Sequence, residues 1–177
     1  MTKNADERMP MTIQVDSREK PKAIKQITEQ FDRAGVKWFV SKLPVGDYMD
    51  LDNARLVIDR KRRLEELTQN CGRDHARFKA ELLRAQELDI KLILLVEHGP
   101  LINSIEDIRS WNNPLLKTQP NAMTGARLAQ ILTVIQGKYG VDIHFCAKYH
   151  TGKRIIQLLS GGRYTGEKRP YQVKIGK

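Results

Sequence analysis

Five consecutive apolar residues, Leu92 to Val96, form the longest apolar run of the chain, with Lys91 before it and Glu97 after. A segment apolar at both alternating positions has no face to offer to water, so it belongs inside a sheet that is covered on two sides. The rest of the chain supplies the covers. Lys22 to Gly35 carries Ile24, Ile27, Phe31 and Ala34 at helical spacing, with Gly35 as a stop, and Thr124 to Tyr139 repeats the pattern through Leu128, Ile131, Leu132 and Ile135. A third helical stretch runs from Arg63 to Leu88, broken near Cys71-Gly72-Arg73, with Leu82, Leu83 and Leu88 on its buried side. Thr151 to Leu159 reads as a last helix, and Ser104 as the N-cap of a short one. Strands are predicted at Met11–Val15, Val36–Leu43, Pro44–Met49, Ala54–Lys61 and Val141–Ala147, and the segment from Trp111 to Pro120 as an irregular loop. Helices alternating with strands around a buried central strand give an α/β layered fold.

A length of 177 residues fits one domain, expected over residues 1–160, with a basic tail at 161–177. Nothing approaches the length of a membrane span, and the opening MTKNADERMP has no apolar centre of a signal peptide. An intracellular protein of the cytoplasm or nucleoid is expected, with no membrane partner and no secretion. Cys71 and Cys146 match neither a metal-ligand spacing nor a disulfide framework. Lys and Arg number 31 against 21 Asp and Glu, a formal +10, which favours a polyanionic partner. An RNA-binding module is disfavoured, since aromatics are only 6% and do not interleave with basic residues in a stacking motif.

The chemistry is densest at Gly46-Asp47 and at Leu56-Val57-Ile58-Asp59-Arg60-Lys61. Residues two apart on a strand share a face, so Asp59 and Lys61 project together and Arg60 points away. Asp47 lies across the intervening turn, Asp50 to Asn53. Two carboxylates and a lysine at the end of an apolar strand suit phosphodiester cleavage. Hard oxygens hold Mg²⁺ or Mn²⁺, and the ammonium orients water and stabilises developing charge. An Asp-x-Lys triplet is common by chance, and a solvated strand end is the simpler account of it alone. Three further features strengthen the functional reading. Val15-Asp16-Ser17-Arg18-Glu19-Lys20 places an acid–base cluster at the end of the first strand, where ligand crevices of α/β sheets form. Gly72-Arg73-Asp74-His75-Ala76-Arg77-Phe78-Lys79 gives a basic helix entry suited to phosphate. The third feature is the order of these parts along the chain.

In that order the sequence resembles the XPF/Hef-type structure-specific DNA endonucleases, whose nuclease domain carries VDxRE, GDY and ERKxxxD elements. They correspond to Val15-Asp16-Ser17-Arg18-Glu19, Gly46-Asp47-Tyr48 and Asp59-Arg60-Lys61-Arg62-Arg63-Leu64-Glu65. Asp59 stands where the family has glutamate and Glu65 where it has aspartate, each keeping its carboxylate. The resemblance implies a restriction-endonuclease-like core, a mixed central sheet flanked by helices with a divalent-metal site at one edge. It implies Asp47 and Asp59 as metal ligands, Lys61 as the group that positions water, and Asp16 and Glu19 as supporting catalytic residues. Arg18 and Arg60 would hold phosphate or brace the carboxylates, with Arg73 as a further DNA contact and Glu65 as a weaker member of the site. Tyr48 is expected to pack. The family's paired helix-hairpin-helix motifs have no counterpart after Leu159, so a separate partner is a candidate for targeting branched DNA. Family members pair through their nuclease domains, which implies a homodimer. The expected activity is a Mg²⁺-dependent endonuclease acting on flaps, forks or junctions in repair, recombination or replication. The alternative is a non-catalytic DNA-binding and dimerisation subunit of the same family.

Overall fold

The computed structural model describes residues 11–162. In chain order the elements are β1 (Thr12–Val15), α1 (Pro21–Arg33), β2 (Lys37–Val40), β3 (Tyr48–Asp50), β4 (Asn53–Lys61), α2 (Leu64–Cys71), α3 (His75–Glu87), β5 (Lys91–Glu97), α4 (Ile105–Ile108), α5 (Gly125–Tyr139), β6 (Asp142–Cys146) and α6 (Thr151–Leu159). The strands form one mixed sheet in the order β2-β1-β3-β4-β5-β6. β1 runs parallel to β2, and β4, β5 and β6 run parallel to one another, while β3 is antiparallel to both its neighbours. The C-terminal ends of five strands therefore lie along one edge of the sheet, where β3 begins.

β5 is covered on both faces, as its composition predicts, but it lies one strand in from the β6 edge rather than at the centre of the sheet. Leu92, Leu94 and Val96 pack with Val57, Leu64, Leu67, Phe78, Leu82 and Leu128 beneath α2, α3 and α5. Ile93 and Leu95 face the other way, with Ile13, Phe31, Tyr48, Ile58 and Ile156 beneath α1 and α6. The break expected near Cys71-Gly72-Arg73 separates α2 from α3. A Cβ at Gly72 would lie 2.9 Å from the Thr68 carbonyl oxygen, so only glycine lets the chain turn so closely. Leu82 is buried as expected, but Leu83 and Leu88 are exposed, because α3 packs along the stripe Phe78, Leu82 and Ala85.

The expected strands Val36–Leu43 and Pro44–Met49 shorten to β2 and β3. Leu43 N–H donates to the Asp16 carboxylate at 2.7 Å rather than to a neighbouring strand, Pro44 has no N–H to give, and Gly46 turns with φ +67°. Residues 42–46 thus leave the ladder and pass over the sheet edge. Among the described residues no helix is long and apolar enough to cross a membrane. Of the basic segment expected at 161–177, residues 163–177 lie outside the described residues.

Gly46 fixes the entry to β3. A Cβ there would sit 2.6 Å from Val57 Cγ1 and 3.0 Å from the Ile58 carbonyl oxygen, in a left-handed conformation costly to L residues. Gly46→Ala should lower unfolding free energy by about 2–4 kcal/mol in urea titrations, from left-handed strain plus overpacking. Wild-type stability would show that the turn rearranges freely.

Candidate active site

The alternation of β4 distributes its charges. Val57, Asp59 and Lys61 face the layer of α2 and α3, while Ile58 and Arg60 face that of α1 and α6. Asp59 and Lys61 are both buried, with Lys61 Nζ 2.8 Å from Asp59 Oδ2 and 5.2 Å from the centre of the Phe78 ring. Burial works against the charge of Lys61, but the Asp59 carboxylate outweighs it and holds the ammonium above its ordinary pKa. The pairing is electrostatic: Asp59 Oδ2 receives no well-directed hydrogen bond.

Asp47 lies opposite Asp59. Its N–H donates to the Ile58 carbonyl and its own carbonyl accepts from Asp16 N–H, each at 2.8 Å, so the ladder extends one residue before β3. Arg60 N–H donates to Asp47 Oδ2 at 2.8 Å. Burial, then the charges of Asp59 and Glu19, push the Asp47 carboxyl well above the usual carboxylate range. Glu81 of α3 closes this side, its Oε1 accepting Gly46 N–H at 3.2 Å, and burial and Asp59 raise its pKa as well.

On the other face Arg60 is enclosed. One guanidinium nitrogen donates to Glu19 at 2.6 Å and the other to Glu97 at 3.0 Å, with 3% of the Arg60 side chain exposed. Tyr48 is buried as expected, and its hydroxyl donates to Glu19 at 3.2 Å. Thr151 Oγ1 lies 2.9 Å from both the Glu97 carboxylate and the Lys148 carbonyl.

The structure thus gathers Asp47, Asp59 and Lys61, and places Arg60 and Glu19 in a brace behind them. Arg60 is not at the surface, so of the two roles expected for it, its placement provides the bracing one. Asp16 is fully buried and spends both oxygens on local order, accepting from Leu43 N–H at 2.7 Å and from Arg18 N–H and Nε at 2.9 and 2.6 Å. Burial alone would raise its pKa; these hydrogen bonds bring it below the ordinary value. Arg18 and Arg73 are exposed at the surface, Arg18 3.5 Å from the Gly46 carbonyl and Arg73 3.8 Å from Asp74. Glu65 is half-buried in the first turn of α2, where its charge reaches His98. Sequence reasoning missed Glu81, Glu97 and Thr151. Glu97 carried a signal, as the charged residue ending a strand buried on both faces; Glu81 is one acid among many on a polar helix.

Among the described residues no three Asp, Glu, His or Cys side chains form a ready metal cluster. Mg²⁺ ordinarily takes only one or two protein carboxylates and keeps its waters. Two facing carboxylates, one with a buried oxygen that has Lys61 beside it but accepts no directed hydrogen bond and the other with its pKa raised by burial and by neighbouring carboxylates, are a donor set of that kind.

The model of the ERCC4 domain matches residues 15–159. The chain belongs to the ERCC4-domain family. Its members are nucleases, some of them inactive. Among solved structures the chain is similar to XPF from Aeropyrum pernix, with TM-score 0.59 and 18% identity over 86% of this chain and 66% of that one. It is likewise similar to XPF from Aeropyrum pernix in complex with DNA, with TM-score 0.60 and 19% identity over 85% of this chain and 64% of that one. The chain therefore spans just under two thirds of the length of those XPF chains. The likeness makes the fold that of the XPF nuclease domain, α/β and restriction-endonuclease-like, with the mixed sheet flanked by helices. No curated protein sequence matches it significantly.

The raised Asp47 pKa has a sign. The folded state holds this proton more tightly than the unfolded chain, so the associated stability is complete below about pH 4 and is lost as pH rises through the folded pKa. Asp47→Asn keeps an oxygen for Arg60 N–H and removes the charge. It should raise the melting temperature at pH 7 by a few degrees, an advantage that vanishes near pH 4. A lower melting temperature at pH 7 would show that the carboxylate is not strained.

Proposed function

We propose that this ERCC4-domain protein is a divalent-metal-dependent endonuclease that hydrolyses phosphodiester bonds of branched DNA, such as flaps, forks or junctions, in repair, recombination or replication. One observation carries the reading: Asp47 and Asp59 face each other across paired strands, with Lys61 Nζ 2.8 Å from Asp59, at the sheet edge. Asp47 and Asp59 would hold Mg²⁺ or Mn²⁺, and such an ion supplies Lewis-acid polarisation of the scissile phosphate when bound. Lys61 does the part that needs a fixed positive charge. Its ammonium stays charged and buried beside Asp59, where it donates a hydrogen bond to the attacking water and stabilises the charge that develops on phosphate oxygens. Arg60 touches no phosphate in this scheme. It holds Asp47 through its N–H and leaves Arg18 and Arg73, both exposed, to meet the DNA backbone.

A formal charge of +10 supports a DNA partner, since phosphate neutralisation supplies most of the non-specific affinity. Membership in the ERCC4 family supports cleavage rather than binding alone. Pairing of two copies belongs to the same proposal, and the half-exposed apolar side of α5, with Ile131, Val134 and Tyr139, is a face that suits it. So does a separate partner that targets branched DNA.

End-labelled duplex, single-stranded, flap, fork and four-way DNA, incubated with Mg²⁺, Mn²⁺ or EDTA, tests the reading. Metal-dependent incision is expected on branched substrates. Asp59→Ala should reduce it at least about 100-fold and Lys61→Ala about 10²–10³-fold, with DNA binding within a few-fold of wild type. Tight binding without incision under any metal would make the chain a non-catalytic member of its family.

A further inference from the structure

The loop after β6 is held more firmly than a solvent-facing turn requires. Lys148–His150 forms a single 3₁₀ turn between β6 and α6. His150 N–H donates to the Ala147 carbonyl at 2.9 Å, Gln30 Nε2 donates to the Tyr149 carbonyl at 3.1 Å, and Thr151 Oγ1 lies 2.9 Å from the Lys148 carbonyl. Gln30 also accepts Lys153 N–H at 2.9 Å. Gly152 sits so close to α1 that a Cβ would come within 2.7 Å of both the Gln30 side chain and the Ile27 carbonyl. On this fixed backbone stands Tyr149, at 68% the most exposed aromatic side chain among the described residues. Its ring lies 4.3 Å from that of His150, at an angle of 62°. Lys148, His150 and Lys153 are exposed around it.

The loop is tied to the candidate active site. Arg60 contacts Glu97 at 3.0 Å, Glu97 contacts Thr151 at 2.9 Å, and Thr151 contacts the Lys148 carbonyl at 2.9 Å. β6 is two strands from β4, about 10 Å across the sheet, and the loop borders the same sheet edge as Asp59 from the α1 side, beyond Ile143, the β6 residue in register with Asp59 through Leu94. A paired duplex offers such an edge its phosphates and groove walls but keeps its base faces covered. An unpaired base offers a π-face, and an exposed aromatic ring takes it up whatever the base.

We propose that Tyr149 is a stacking platform for an unpaired DNA base beside the cut, with Lys148 and Lys153 on the flanking phosphates. This rests on the nuclease reading and deepens it, because it names the part of a branched substrate that the protein recognises. Preorganisation is what makes the platform effective: a ring on a backbone already fixed by Gln30, Thr151 and Gly152 loses less entropy on binding than one on a mobile loop.

The test uses the full chain carrying Asp59→Ala, so that substrate is bound and not cut. Flap and fork DNA carry 2-aminopurine at successive unpaired positions, and fully paired duplex serves as comparison. Quenching at one position near the branch is expected, retained in Tyr149→Phe and lost in Tyr149→Ala. Tyr149→Ala should weaken flap binding about ten-fold more than duplex binding, the lower part of the range for one stacked base. Equal affinities for Tyr149→Ala and its parent, or an equal loss on flap and duplex, overturn the platform and leave the nuclease reading standing. No binding of any DNA by the parent protein, with no incision by wild type, overturns both.

Discussion

A guanidinium with almost no exposure, lodged between Glu19 and Glu97, sets the position of nearly everything else at the catalytic edge. Arg60 is charged at any pH the protein meets, and leaving it unpaired in the interior would cost about 3–5 kcal/mol. Its partners come from two separate stretches of chain, Glu19 from the segment after β1 and Glu97 from the end of β5, and the Tyr48 hydroxyl of β3 holds Glu19 in turn. Each must arrive for the charge to be matched. The backbone of the same residue then holds Asp47. A single strand position thereby ties the rear of the sheet to the pair of carboxylates on its front.

Charge is distributed across the sheet with a purpose. The front carries Asp47, Asp59 and Glu81 against Lys61, and the rear Glu19 and Glu97 against Arg60. Five carboxylates thus meet two cations inside a chain whose formal charge is +10. Burial first, and then this excess of neighbouring carboxylates, raises the pKa values of Asp47 and Glu81. On the proposed reading, the positive surface would draw in the polyanion and the excess of carboxylates inside would suit a cation. Strain at a functional site is an ordinary cost of holding such groups ready.

Much of this was legible in the sequence because period two is unambiguous on a strand. Asp59 and Lys61 had to share a face, Arg60 had to leave it, and an apolar run such as Leu92 to Val96 had to lie between two layers. Harder to read were the residues whose role comes from tertiary contact. Glu81 meets the site only because α3 packs through Phe78 and Leu82, and its neighbours in sequence are equally polar. Leu83 was misplaced for a related reason: adjacent leucines leave open which of them faces the core. The shortened strands around residues 41–47 could not be foreseen either, since the Asp16 carboxylate takes the Leu43 N–H that a ladder would have used. Motif order conveyed the resemblance, but not that Asp16 serves backbone order and Arg60 serves burial.

The remaining step concerns how one edge combines chemistry and recognition. Because five strands end together there, the segments that border it are distant in sequence and free to differ without disturbing the strands. Such freedom ordinarily brings mobility. Here Glu97 limits it, because its Oε1 accepts from both the Arg60 guanidinium and the Thr151 hydroxyl. Shifting the Lys148–His150 turn away from β4 would remove the Thr151 hydrogen bond from the buried Glu97 carboxylate, a cost of about 1.5–3 kcal/mol. The turn and β4 are therefore linked through buried contacts, and on the proposed reading the spacing between a base stacked at the turn and the scissile phosphate would be set by the fold rather than by the substrate.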